Sequence, residues 1–360
     1  MPAVKRLEIG FLAAVAIATL VAGALHYSDG APVARFVAAG GALAGLAWVV
    51  AFATEAVGRR FAPAVTGVLQ STLGNLPEFF VVLFALGAGE ITVAKTSLVG
   101  SLLANALLIL GVAIVVGARR SPDGVMRFHP RLPNDTATLL LLAVFIIVVL
   151  GIAVTTHEEA GRHAKGISIA GAIALLAVYL TWLTSYLRAD SGPAGAEAEG
   201  PGRGHPVAGI SLAAAVALLA GAGVGAALVS DWFIDALDPA VESLGISKAF
   251  AGIVIVAIAG NAVENVTGIV FAAKGQSDLA ISVIKNSVAQ IAVFLFPALV
   301  LASLLFATPL TFVLSPIYIA SLALTALALW QITGDGEAMA FEGAALIALY
   351  VIVATVAWYQ

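Results

Sequence analysis

Long apolar runs, each near 20 residues, alternate with short polar breaks along almost the whole chain. That length crosses ~30 Å of hydrocarbon as an α-helix, so the pattern predicts an all-α polytopic membrane protein. Eleven transmembrane helices are read at roughly 8–27, 32–57, 62–86, 96–117, 136–155, 167–187, 207–229, 249–272, 279–304, 309–332 and 341–359. The third is expected to be interrupted around Gly74 and Pro77, since both residue types weaken a helix interior. Ala189 to Pro206, rich in Gly, Pro, Ala and Glu, reads as a flexible linker. Asp231 to Lys248 reads as an amphipathic stretch between the seventh and eighth helices. Lys5 and Arg6 before the first run resemble a signal peptide, but no small-residue cleavage site leads into a soluble domain. An uncleaved first helix is therefore expected.

Composition sharpens this picture. Of 360 residues 61% are hydrophobic and 11% charged, whereas a soluble domain carries about 25% charged residues. The net charge of −4 gives no sign of nucleic-acid binding. The absence of cysteine excludes disulfides, thiolate metal sites and cysteine nucleophiles. With a cytoplasmic N-terminus, eleven Lys and Arg residues fall on the inside and five outside, and Lys285 falls within a helix. The positive-inside rule then predicts a cytoplasmic N-terminus and an outside C-terminus, and the expected location is a bacterial inner membrane.

Two segments repeat each other. Thr54 to Asn105 and Val241 to Gln290 each carry Gly-Asn-x-x-Glu inside an apolar run: Gly74, Asn75 and Glu78, then Gly260, Asn261 and Glu264. From Glu78 to Gly100 is 22 positions, and from Glu264 to Asn286 is again 22. Glu55 precedes its motif glutamate by 23 positions and Glu242 by 22. The organisation expected is an extra N-terminal helix in 1–30, a first five-helix repeat in 31–188, a linker in 189–206 and a second five-helix repeat in 207–360. An odd number of helices per copy makes the second enter the membrane from the opposite side, the inverted-repeat build of secondary transporters.

An intramembrane carboxylate costs at least ~2.5–3.5 kcal/mol on insertion scales, so two at matched positions point to function. Gly74 with Pro77, and Gly260 in the second copy, loosen the helix and free backbone carbonyls. Carbonyls, carboxylates and an Asn amide are hard oxygen ligands that suit calcium better than zinc or copper. Asn75 and Glu78 lie at i, i+3, Ser101 and Asn105 at i, i+4, and Ser287 and Gln290 at i, i+3, so each pair shares a helix face. If both glutamates approach one site, repulsion and desolvation make the empty pair hold protons near neutral pH. A divalent cation displaces them, which is the minimum chemistry of exchange.

With these motifs, and with GSLLAN (Gly100 to Asn105) after the first, the chain resembles the calcium/proton exchanger branch of the calcium/cation antiporter superfamily. The likeness covers ATEAVGRRFAPAVTGVLQSTLGN in the first half and LGISKAFAGIVIVAIAGNAVEN and AQIAVFLFPALVLA in the second. It implies eleven helices, alternating access, and Glu78 and Glu264 as ligands shared by calcium and protons. Calcium and protons are then the substrates, with no cofactor. Three departures stand out: Asn265 where the family usually has His after the second motif, Asn286 (preceded by Lys285) where it has Gly, and Ala257 where it has Pro.

Competing readings exist for each residue. Asn75 and Asn261 also suit interhelical hydrogen bonding, and Ser101, Asn105, Ser287 and Gln290 suit helix packing. Glu55 and Glu242 are either helix-end anchors or access gates. Two other functions compete: sodium/calcium exchange, which needs extra sodium ligands beside each motif glutamate, and a passive cation channel. An enzyme is not expected, because no Ser/His pair, HExxH or catalytic Asp pair falls within the apolar runs.

Overall fold

A computed structural model describes residues 6–28, 30–58, 72–129, 131–190 and 210–360. In chain order the elements are α1 (Arg6–Tyr27), α2 (Pro32–Gly58), α3 (Leu76–Gly87), α4 (Ile91–Arg120), β1 (Val125–Arg127), α5 (Arg131–Thr155), α6 (Ala164–Asp190), α7 (Leu212–Leu244), α8 (Lys248–Gly260), α9 (Ala262–Ala273), α10 (Ser277–Leu305), α11 (Pro316–Thr333), β2 (Glu337–Met339) and α12 (Ala340–Trp358). Among the described residues nine helices are long and apolar enough to span a membrane. The pair α8–α9, bent by 65°, makes a tenth span when taken as one. The expected helix at 62–86 is represented by α3, and its first part lies outside the described residues, as does most of the expected linker.

The chain forms two compact units. In the unit comprising Met1–Phe84, Trp182–Lys248 and Ala259–Val263, α7 packs antiparallel on α2. Phe36 stacks on Phe233 with ring centroids 4.5 Å apart. Phe233 also lies over Gly40, and Leu46 over Gly225. The two large residues are 187 positions apart and the two glycines 185, close to the 186 between Glu78 and Glu264. The contact therefore has the form expected of two copies related by a twofold axis. The stretch at 231–248 is amphipathic as expected, but its 231–244 part continues α7 and is no separate segment. The charges of Asp231, Asp235 and Asp238 decorate one side of a continuous 33-residue helix, while Phe233, Ile234, Leu237 and Val241 bury the other.

In the unit comprising Ala85–Thr181, Ala249–Ile258 and Glu264–Gln360, the inversion can be followed atom by atom. Gly89 closes α3 at φ 79° with Glu90 N–H donating to Ala85 O, and Gly275 closes α9 at φ 75° with Gln276 N–H donating to Phe271 O. Each donor and acceptor is displaced by 186 positions from its counterpart. Both turns need glycine, since other residues rarely adopt left-handed φ. The first turn feeds the N-terminal end of α4, and Gly275 lies beside Arg120 at its C-terminal end. A 30-residue helix is ~45 Å long, so identical turns sit at opposite ends of one membrane crossing. Both α4 and α10 also widen to π-helical geometry at corresponding places, Ala104–Ile109 and Ile291–Leu295.

The unit departs from the sequence expectation in two further places. A two-stranded antiparallel ribbon pairs β1 with β2, Met126 opposite Ala338, so the protein is not wholly α-helical. The helix expected at 309–332 begins only at Pro316. Leu310, Phe312 and Leu314 are buried without being helical, and polar side chains hold the chain there. Ser303 Oγ accepts from Leu310 N–H, Ser168 Oγ accepts from Phe312 N–H, and Lys95 Nζ donates to Val313 O at 2.7 Å.

Candidate functional site

Each Gly-Asn-x-x-Glu motif interrupts a helix at its asparagine. The helix stops before Asn75 and resumes at Leu76, and it stops before Asn261 and resumes at Ala262. Asn75 O accepts from Phe79 N–H at 2.9 Å, closing the first turn of α3. Glu78 and Glu264 are thus each the third residue of a new helix that follows an Asn, the spacing of a capping box. The asparagine favours leaving the helix because its side chain competes for backbone hydrogen bonds. Pro77 is harmless here, for a first-turn N–H has no intrahelical acceptor. The outcome is a carboxylate beside a backbone break, where the carbonyls ending one segment and the amides starting the next lie together.

In the first unit Asn75, Glu78 and Asn261 are all buried. A Cβ built on Gly260 would lie 3.6 Å from Glu78 Cβ, so the backbone of the second motif rests against the glutamate of the first. Glu55 is half-buried near the C-terminal end of α2, and Glu242 is exposed at the C-terminal end of α7. Because α2 and α7 run antiparallel, the structure keeps these two glutamates apart, at opposite ends of the pair.

In the second unit Ser101, Asn105, Ser287 and Gln290 are buried, and Asn105 Nδ2 donates to Ser287 Oγ at 3.1 Å. The two segments that follow the motifs are thus joined side chain to side chain. Glu264 Oε2 is enclosed with no hydrogen-bond partner among the described residues. Asn286 is half-buried, its Nδ2 donating to Ser282 Oγ at 3.4 Å. Lys285 is buried and donates to Thr333 Oγ1 on α11.

Several contributors carry only faint sequence signals. Gly100 lets α4 cross the π-helical stretch Ala251–Val256 of α8, where an added Cβ would come within 2.5 Å of Ile253 Cα and 2.6 Å of Ile253 O. Tyr350 of α12 donates its hydroxyl to Ile253 O at 3.3 Å, meeting a carbonyl in that widened stretch. A tyrosine inside an apolar run hints at such a role, because its hydroxyl needs a partner when buried. Nothing local in the sequence reports the crossing at Ile253.

The comparisons with known proteins follow the same motifs. The profile of the family described as "Sodium/calcium exchanger protein" matches residues 31–187 and 214–359. The chain is 32% identical over 351 residues to the "Ca(2+)/H(+) antiporter" of Synechocystis sp., covering 92% of each chain. It is 32% identical over 321 residues to the "Vacuolar calcium ion transporter" of Schizosaccharomyces pombe, covering 87% of this chain and 76% of that one. The structure of native YfkE superposes with a TM-score of 0.80 at 26% identity, covering 97% of this chain and all of that one. A match over both repeats, together with relatives aligned nearly end to end, places the chain in the sodium/calcium exchanger protein family, within its calcium/proton exchanger branch.

Proposed function

We propose that the chain exchanges calcium for protons across a membrane by alternating access, with Glu78 and Glu264 as the carboxylates that calcium and protons share. The observation that carries this reading is the pair of matched helix breaks, each with a buried Asn and a third-residue Glu that has carboxyl oxygen shut off from solvent within an apolar span. A Cβ on Gly260 would meet Glu78, and four residues later the chain reaches Glu264. Asn75 and Asn261 supply amide oxygens beside the carboxylates, and Ser101, Asn105, Ser287, Gln290 and Asn286 support them. Glu55 and Glu242, at opposite ends of an antiparallel pair, suit access gates on opposite faces. Two inverted five-helix repeats, 31–188 and 207–360, follow one extra helix and flank a linker at 189–206. The machinery moves ions and performs no covalent chemistry.

The location proposed is a bacterial inner membrane with the N-terminus cytoplasmic and the C-terminus outside. Arg120 beside the turn at Gly275, with Lys274 next to it, gathers basic residues at one end of α4, as the positive-inside rule requires. The test is calcium transport in proteoliposomes under an imposed pH gradient, with and without sodium. Uptake that follows the gradient and ignores sodium is expected. Flux indifferent to pH would make the chain a channel, and a sodium requirement would make it a sodium/calcium exchanger.

A further inference from the structure

Asn265 follows Glu264 directly, is 5% exposed, and leaves both Oδ1 and Nδ2 without a hydrogen-bond partner among the described residues. Burying an amide unsatisfied on both ends is costly, and native interiors seldom tolerate it without a ligand, ion or water to fill the place. The neighbouring Glu264 Oε2 is enclosed and unpartnered too. Two adjacent residues thus hold three polar atoms out of solvent with nothing from the described chain against them.

Their direction follows from the helix. Gly268 lies ~40° from Glu264 and ~60° from Asn265 around α9, at ~100° per residue, so it divides the face they share. That glycine is pressed onto α10, where an added Cβ would come within 2.6 Å of Ile284 Cγ1. The turn at Gly275 joins α9 to α10, and Glu264 and Asn286 each stand 11 positions from it along the chain. Both unpartnered residues therefore flank the face of α9 that meets α10 at Ile284. The first repeat has no such amide. The residue 186 positions earlier is Phe79, whose ring packs edge-on against Phe80 at 5.7 Å.

We infer that the Asn265 amide oxygen belongs to the coordination shell of the transported divalent cation, directly or through one bound water, as a partner to Glu264 in the second repeat alone. A neutral oxygen adds affinity for a hard cation without adding a site for a proton. The second repeat would then bind the cation more firmly than its proton content alone would set. This inference rests on the exchange reading, and the experiment separates the two.

The measurement is the thermal midpoint of the purified full chain in detergent, titrated with calcium at fixed pH, for the parent, Asn265→Leu and Asn265→Ala. An isosteric apolar side chain removes the unsatisfied amide, so Asn265→Leu without calcium should melt no lower than the parent. Its calcium-induced shift should need at least about tenfold more calcium, equivalent to ~1.4 kcal/mol. Asn265→Ala, which adds no bulk, should show the same loss of calcium response. An unchanged calcium titration in either folded variant would overturn the inference. So would a large drop in the midpoint without calcium accompanied by parental calcium affinity, since that marks a structural asparagine. A parent that calcium does not stabilise at all would defeat the exchange reading itself, and this inference with it.

Discussion

Glu78 lies against Gly260, its Cβ 3.6 Å from where a side chain on that glycine would begin. The contact brings the second motif's backbone beside the base of the first motif's glutamate side chain, its Cα, Cβ and Cγ. A methyl at position 260 would meet Glu78 at ordinary van der Waals distance, and anything larger would press on it.

The first prediction concerns the two carboxylates. Glu78→Gln and Glu264→Gln each keep the side-chain volume while removing a negative ligand and a proton carrier. Each should lower pH-gradient-driven calcium uptake at least about 100-fold, ~2.7 kcal/mol in barrier terms. Uptake in proteoliposomes near the parental rate in either variant would show that the two residues are not the exchange site.

The second concerns the helix crossing. A side chain at Gly100 has no room, because backbone atoms of Ile253 already occupy the place. Gly100→Val should cost about 1–3 kcal/mol of stability by overpacking, seen as a lower thermal midpoint, and should slow transport by displacing α8. Gly100→Val with parental melting and flux would mean that the two helices separate freely.

The ends of the helices give the third. Pro122 lies in the turn before β1, whose partner β2 leads directly into α12. At the far end of α12, Gln360 accepts a hydrogen bond from Tyr318, which opens α11. Cysteines placed at Pro122 and at Tyr359 in this cysteine-free chain should therefore label from opposite faces, Pro122 from the cytoplasm. Labelling of both from one face would contradict the proposed topology.

The ribbon supplies a pH prediction. Asp123 accepts from Arg127, Ser121 and the N–H of Val125, and these bonds hold its carboxyl down to about 2 from an ordinary 3.8. A lowered value means that its contribution is complete above pH ~4 and fades as pH falls through about 2. Asp123→Asn should speed hydrogen exchange at Val125 and Met126 while leaving the pH profile of transport between 5 and 8 unchanged. A displaced transport profile would tie the ribbon to proton handling.

Much of this was legible in the sequence, for reasons that can be traced. The interruptions were expected from Gly74 with Pro77 and from Gly260, residue types that weaken a helix; the breaks fall at the adjoining asparagines, and the repeat was visible because the spacing to Gly100 and Asn286 is identical. Hydropathy misread Leu310 to Leu314, since a buried extended segment is as apolar as a buried helix and only distant Ser168, Ser303 and Lys95 distinguish them. It also divided α7 at Asp231, because three aspartates on one side of a helix lower a window average without ending the helix. The meeting of Gly260 with Glu78 was not legible, as it depends on how helices far apart in sequence cross.

The last prediction separates Lys285 from Asn286. Lys285 is buried, and its ammonium donates to Thr333 Oγ1, whose own hydroxyl donates onward to Leu329 O at 2.6 Å. Around it stand Ala106, Leu110, Ala137, Leu140, Val288 and Leu329, so its stem lies in an apolar setting turned toward α11. An enclosed ammonium is costly to hold, and an apolar side chain of similar length fills the same space without that cost. Lys285→Met should therefore melt no lower than the parent and transport calcium within about twofold of it, ~0.4 kcal/mol. Asn286 differs, being half-buried on the α10 segment that follows the motif, with a long 3.4 Å hydrogen bond to Ser282. Asn286→Gly removes an oxygen next to Ser287 and frees the helix backbone, so it should change calcium affinity or the preference among divalent cations. Competition of calcium uptake by strontium and magnesium measures both. If Lys285→Met altered that preference while Asn286→Gly left it alone, the lysine would be the residue facing the ions and α10 would be turned from the orientation described.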